Sequence, residues 1–355
     1  MEACVTREEL VENIKNGEVI SKVDCSEMDL SNADLSGGIF EEVNFRNANL
    51  SAAQLNESIF VKPDFTNGDL TGASLNLTAI QEGQMMGALL VRADLTDAKF
   101  INSNLSGVNM GGSNLSTAAF LQSNLTKSNL SGTNLDRTTF YESTLAEADL
   151  SGVKCERTVL MGIDFTAVRI GGTKFHQSFM INSSFANMDL KGMDFSRAQL
   201  KGSNLAGVDL TGADLTQTSF MESNLSGAKL DGAQAGFAIF MKAKMIQSSL
   251  KGTFLKQSCF EEADLTLADL SGVDLEASIF KKAVCRATRF VRANLTYCDF
   301  SHADLSGADM TGATLTRTNL HRIISEHTLW TGSNKEAALS TDPVLAEAEE
   351  WKPKL

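Results

Sequence analysis

From Cys25 to Leu320 the chain repeats every five residues without one insertion or deletion. Every position divisible by five from 30 to 320 is apolar, as in Leu30, Leu35, Phe40, Phe45, Leu50 and Leu55, and Cys25 opens the series of sixty pentapeptides. Two residues before most centres sits a small residue, for example Ala33, Ala48, Ala53, Ser58 and Ala73. Five is neither the helical period of 3.6 nor the strand period of 2, so no ordinary amphipathic helix or sheet keeps all these centres inside. A coil that turns a corner once per pentapeptide does. Short fixed periods of this kind mark a solenoid, in which each turn buries its apolar residues against its neighbours.

A slower beat counts the sides. Phenylalanine stands at Phe40, Phe60, Phe100, Phe120, Phe140, Phe220, Phe240, Phe260, Phe280 and Phe300, all on multiples of twenty. Glycine two residues after the centre keeps the same beat on another side, at Gly72, Gly112, Gly132, Gly152 and Gly172. Twenty residues therefore make one turn of four sides.

The motif, spelled out at Ala33-Asp34-Leu35-Ser36-Gly37 and again at Ala303-Asp304-Leu305-Ser306-Gly307, resembles that of the pentapeptide repeat proteins over about five-sixths of the chain. The resemblance implies an all-β solenoid, a right-handed quadrilateral β-helix of about 15 coils, with the centre and the small residue pointing inward. At roughly 4.8 Å per coil such a rod would be roughly 70 Å long.

The unbroken register predicts one elongated repeat domain over 25–320, an N-terminal capping helix within 1–24 and a C-terminal cap or helical tail over 321–355. Thr6-Arg7-Glu8-Glu9 is a capping box, followed by Leu10, Val11 and Ile14 on one face and Gly17 as a stop, which predicts a helix over 6–16 covering the first coil. Asp342-Pro343 predicts a second helix running to Trp351, after a loose link over 334–343. Trp330, Leu345 and Trp351 are the candidate contacts of this segment, either over the last coil or with a second copy. Lys352 to Leu355 is expected to be loose. Pro63, at a small inward position, is expected to be a local defect because proline removes a ladder donor. Around Ala235, an unusually small centre flanked by Phe237 and Phe254, a local repacking or bend is expected.

The outward positions differ by side. On three sides the residue before the centre is mostly Asp or Asn, as in Asp29, Asp34, Asn44, Asn49, Asn104 and Asn124, and those sides read as solvated. On the phenylalanine side the flanking residues are repeatedly apolar. Ile59, Val61, Ile101, Leu121, Tyr141, Met161, Ile181, Met221 and Met241 form the candidate interface, because contiguous exposed apolar patches mark contact surfaces. Arg137, Arg157 and Arg197 share one outward column and read as a solvated charge ladder.

Nothing in the sequence carries catalysis. No phosphate loop, dinucleotide fingerprint, Cys-x-x-Cys or His-Glu-x-x-His occurs, and His176, His302, His321 and His327 lack metal-like spacing, although His302 and His321 fall on adjacent coils. Hence no catalytic, cofactor-binding or metal residues are expected, and no cofactor. Cys25, Cys155 and Cys285 at centres and Cys298 at a small inward site read as buried thiols. The start lacks a basic flank and apolar core and no apolar run reaches membrane-spanning length, so a cytoplasmic bacterial protein is expected, with signal-independent export left open.

The functional expectation is a non-enzymatic rigid scaffold or adaptor whose partner is another protein, or a second copy met through the C-terminal end or the apolar side. Nucleic acid and membranes are not expected partners. Two alternatives stand beside it. One is mimicry of DNA toward a type II topoisomerase (gyrase), as in family members similar in fold; the repeat region, with 32 acidic and 24 basic residues, is a weak match for a duplex bearing a charge per roughly 1.7 Å. The other, an adaptor or cargo of a type VI secretion system, rests on similarity of the opening stretch to pentapeptide proteins found with such systems.

Overall fold

The computed structural model describes residues 3–351. It comprises two compact units, Met1–Ser183 and Ser184–Leu355.

The first unit opens with β1 (Ala3–Cys4) and α1 (Arg7–Lys15). Thr6 caps α1 by accepting from the Glu9 amide while the Glu9 carboxylate accepts from the Thr6 amide, so the predicted capping box is present. Leu10 and Ile14, one turn apart, are its buried face. The coil then begins with β2 (Val19–Ser21) and β3 (Val23–Asp24), and β3 pairs in parallel with β1. One strand follows on the phenylalanine side of each later coil as far as Met161: β4 (Ile39–Glu41), β5 (Ile59–Val61), β6 (Ala79–Gln81), β7 (Lys99–Ile101), β8 (Ala119–Leu121), β9 (Thr139–Tyr141) and β10 (Val159–Met161). With β2 they form an eight-stranded parallel sheet in chain order, and each centre pairs with the one twenty residues on, as Phe40 with Phe60 and Phe100 with Phe120. The other three sides pair through one residue per coil, for example Asp24 with Asn44, Asp29 with Asn49 and Asp34 with Gln54.

In the second unit the described residues form no strand longer than such a bridge. All four sides pair at twenty-residue spacing, from Ser184 with Asn204 to Asn319 with Leu339. The expectation of about 15 coils is thereby corrected while the solenoid class stands, since parallel three-residue strands make about seven turns, from Val19 to Met161. The reason lies at the corner. On the phenylalanine side of the second unit the amide three residues after a centre closes a tight turn onto that centre's carbonyl, as Ser223 onto Phe220 and Ala243 onto Phe240. In the first unit the corresponding amides of Ser103 and Ser123 instead donate to serine hydroxyls one coil on, leaving the side extended enough to pair over three residues.

That geometry also removes the expected defect at Pro63. It occupies the same corner position, where no tight-turn bond is made, and β5 just before it pairs fully with β4 and β6. Near Ala235 the backbone keeps its register, with Gln234 bridged to Phe254 and Phe254 to Asp274, so the expected bend is absent; the Phe254 ring lies over Gly236, where an added Cβ would meet it at 2.9 Å.

The centres are interior in both units, and the phenylalanines stack in nearly parallel columns. Ring centroids lie 4.5 Å apart for Phe40 and Phe60 and 5.0 Å for Phe120 and Phe140; in the second unit they lie 4.8 Å apart for Phe240 and Phe260 and 4.5 Å for Phe280 and Phe300. These spacings match the hydrogen-bonded strand separation of about 4.8 Å, so one repeat satisfies backbone pairing and ring contact together. Small inward serines and threonines do more than fit a narrow interior. Ser58, Thr78, Thr138 and Thr158 each donate a hydroxyl to the carbonyl 23 residues earlier, at 2.7–2.9 Å, so their burial leaves no polar atom unpaired.

Beyond Leu320, where the apolar register ends, pairing continues to Leu339, and the predicted loose link contains a 3-10 turn at Lys335–Ala337. The helix α2 (Pro343–Glu350) follows, with Asp342 capping the Val344 and Leu345 amides. The expected loose end at Lys352–Leu355 lies outside the described residues.

Candidate interaction surfaces

Because side chains alternate across a strand, the residues on either side of each buried centre in the eight-stranded sheet face outward. In the first unit one outward column runs Val61, Gln81, Ile101, Leu121, Tyr141, Met161, Ile181, so five apolar residues follow one another from Ile101. Tyr141 is 45% exposed, and Ile101, Leu121, Met161 and Ile181 are half-buried. In the other column Ile39 and Ile59 are exposed, Ile59 at 42%. All the sequence-derived interface residues of this unit therefore lie outside the core, those up to Met161 on one sheet face and Ile181 on the turn that follows it. In the second unit Met221 and Met241 are half-buried, and their column continues with Glu261, Lys281, Ser301 and His321, which is no apolar stripe.

The end of the second unit departs from expectation. The helix α2 meets the coil through its charged residues on the phenylalanine side, instead of covering the last coil with its apolar ones. Glu349 accepts from His302 Nε2 at 3.1 Å and from His321 Nε2 at 3.2 Å, while Arg322 lies 3.3 Å from the same carboxylate and donates to the Ala346 carbonyl. His321 foremost, and then His302, hold the Glu349 carboxyl below its usual range, against the opposing effect of desolvation. Ser301 and His321, outward positions elsewhere half-exposed, are buried here. Trp330 is half-buried with the Lys335 ammonium 4.3 Å from its ring centroid, whereas Leu345 is exposed and Trp351 is 72% exposed. Of the predicted end contacts, only Trp330 is partly covered. The adjacency of the two histidines was legible from their nineteen-residue spacing; Glu349, held at the end of a separate helix, left no signal in the repeat.

The Asp and Asn columns are structural as well as hydrated. The side chain before a centre accepts the amide two residues on, as Asp29 from Ser31 and Asn49 from Ser51, and asparagines donate along the column, as Asn49 to Asp29 and Asn129 to Asn109. Asp24, Asp29, Asp149 and Asp209 are held below the usual carboxylate range, principally by hydrogen bonds from Ser26, Ser31, Ser151 and Thr211. Ion-pair rungs run along other columns: Lys22 with Glu42, Lys62 with Glu82, Lys242 with Glu262. Arg137 and Arg157 both pair with Asp136, and Arg197 with Gln217, as a solvated ladder requires. Burial pushes the Cys155 and Cys298 thiols up to about 12 and Cys285 higher still, which keeps them protonated and unreactive.

Inward centres every five residues, four sides per coil and a left-handed corner on each side define a four-sided β-solenoid. The chain belongs to the pentapeptide repeat family: eight copies of the family's repeat match, at residues 39–76, 87–116, 111–140, 118–154, 180–217, 218–257, 258–296 and 283–322. A search of curated proteins finds no match. Among solved structures the chain is similar to a trypsin-treated form of QnrB1, a plasmid-mediated fluoroquinolone resistance protein, at 20% identity over 54% of this chain and 91% of that one, with a TM-score of 0.40. It is also similar to a pentapeptide repeat protein of the Arabidopsis thaliana thylakoid lumen, at 22% identity over 29% and 68% of the two chains with a TM-score of 0.23. HetL, involved in heterocyst differentiation regulation in the cyanobacterium Nostoc, matches at 18% identity over 96% and 98% with a TM-score of 0.18.

Proposed function

We propose that this chain is a non-enzymatic scaffold that binds another protein through the strand face of its first unit. The supporting observation is the run Ile101, Leu121, Tyr141, Met161 and Ile181, five consecutive turns of outward apolar side chains, the first four on a sheet paired strand to strand and Ile181 on the next turn. A rigid apolar face loses little conformational entropy on docking, and a partner would remove this surface from water. Replacing Leu121, Tyr141, Met161 and Ile181 with Ser or Thr tests this. The solenoid should remain folded by circular dichroism and partner capture from the native host should be lost; capture unchanged by the four substitutions would overturn the reading.

Self-association is a second mode, favoured by α2 and its C-cap, where Val344 and Trp351 are 75% and 72% exposed. Truncation before Arg322 should then lower the sedimentation coefficient by more than the lost mass explains. Duplex mimicry is less well supported, because many carboxylates are matched by lysine and arginine rungs or by turn hydrogen bonds. For a secretion-system role, the opening helix offers little, since Leu10 and Ile14 are already buried.

A further inference from the structure

We propose that His302, His321 and Glu349 form a binding site for a divalent transition metal of the zinc type, which would staple α2 to the last coils. The two imidazoles come from adjacent turns and the carboxylate from the tail helix, so the fold alone assembles a His2Glu donor set. All three donor atoms lie within 4.8 Å of one another. Donors around a tetrahedral ion with bonds of 2.0–2.2 Å lie about 3.3–3.6 Å apart. His302 Nε2 lies 3.1 Å from Glu349 Oε1 and His321 Nε2 lies 3.2 Å from Glu349 Oε2, each near that edge but on different oxygens, so one-oxygen ligation requires the carboxylate to turn and the imidazoles to close on each other. Two neutral nitrogens and one carboxylate are a borderline set that suits zinc better than magnesium or calcium, which take oxygen donors. His302 is part-exposed, leaving room for water as a fourth ligand.

The present hydrogen bonds define what loading must change. His321 Nδ1 accepts the Asp342 amide at 3.2 Å, so its proton sits on Nε2 and points at Glu349. A metal on Nε2 moves that proton to Nδ1, where it faces another donor, and the Asp342 amide has to turn away. Arg322 can yield the Glu349 oxygen, because it keeps the Ala346 carbonyl and the Glu350 carboxylate. The ion would thus replace a proton and an arginine at one carboxylate, and the start of α2 would report its arrival.

The test uses the full chain, stripped with a chelator and titrated with Zn2+ by calorimetry in a non-coordinating buffer, with Co2+ absorption as a readout of tetrahedral geometry. One equivalent should bind and raise the melting temperature. Glu349→Gln and His302→Gln should each weaken binding at least about tenfold, comparable to what loss of even an outer-shell partner does, while His327→Gln, outside the cluster, leaves it unchanged. Both informative substitutions lie at part-exposed or exposed positions, so the solenoid should stay folded, with circular dichroism as the check. Absence of saturable one-to-one binding, or equal affinity in Glu349→Gln and His302→Gln, would overturn the proposal. The result is independent of the strand-face reading, whose residues lie in the other unit.

Discussion

Ser128 is a buried inward serine whose hydroxyl finds no partner among the described residues, whereas its counterparts donate to a carbonyl one coil back. Its column neighbours one coil away, Val108 and Ala148, are apolar and equally buried. Ser128→Ala should therefore stabilise the first unit by about 1 kcal/mol, the desolvation cost of an unmade hydrogen bond, measured by denaturant unfolding. Corner residues work the other way. The second residue after almost every centre has a left-handed backbone, whether lysine, as Lys62 at φ 52°, or glycine, as Gly72 at φ 67°. An added Cβ at Gly72 meets no atom within 4 Å, so Gly72→Ala should lose about 1 kcal/mol from conformation alone, and Gly72→Asn less, since asparagine tolerates this region better.

At the scale of elements, the phenylalanine side follows two rules in one chain: three-residue strands in the first unit and tight turns in the second. Periodicity cannot distinguish them, because both put the same residues inside. The choice matters for function, since only the extended form lines up outward side chains on both flanks of the centre in a continuous sheet. A narrower form of the interface test follows: Met221→Ser with Met241→Ser, on the turn-built side of the second unit, should leave partner capture intact while the strand-face substitutions abolish it. Equal loss from both sets would show that the surface recognised is not the paired sheet. The tail helix is a second case where element type was legible and placement was not. Its N-cap and first-turn proline were plain in Asp342-Pro343, yet its seat depends on Glu349 meeting residues 28 and 47 positions earlier.

For the whole molecule, the coils leave no room for a charge inside. Leu130→Asp in the first unit or Leu210→Asp in the second should unfold its unit or block soluble expression, since a buried unpaired carboxylate costs several kcal/mol; a soluble, fully β-structured variant would contradict the register. The acidic columns predict the pH profile. Asp24, Asp29, Asp149 and Asp209 have folded pKa values below their unfolded ones, so the stability they contribute is present above the unfolded value of about 3.9 and is lost as pH falls through the folded values. Melting temperature should be level from neutral pH to about 4 and drop below it. Asp29→Asn and Asp149→Asn should flatten that drop, because the amide oxygen keeps the acceptor role that Asn49 and Asn129 already fill.

The sequence by itself determined the class of fold, the inward residues, the four sides and both helices, because each pentapeptide meets the same neighbours twenty residues away and its pattern states its environment sixty times over. It also marked the apolar outward column, since outward positions are those the core does not constrain. What only the tertiary structure decided are features of single places: which coils pair as strands, that Pro63 sits where no turn bond is needed, that coil pairing runs on to Leu339, and that α2 brings Glu349 to two histidines. These depend on individual backbone hydrogen bonds and on a chain end free of the repeat, and a periodic pattern holds no record of contacts made only once.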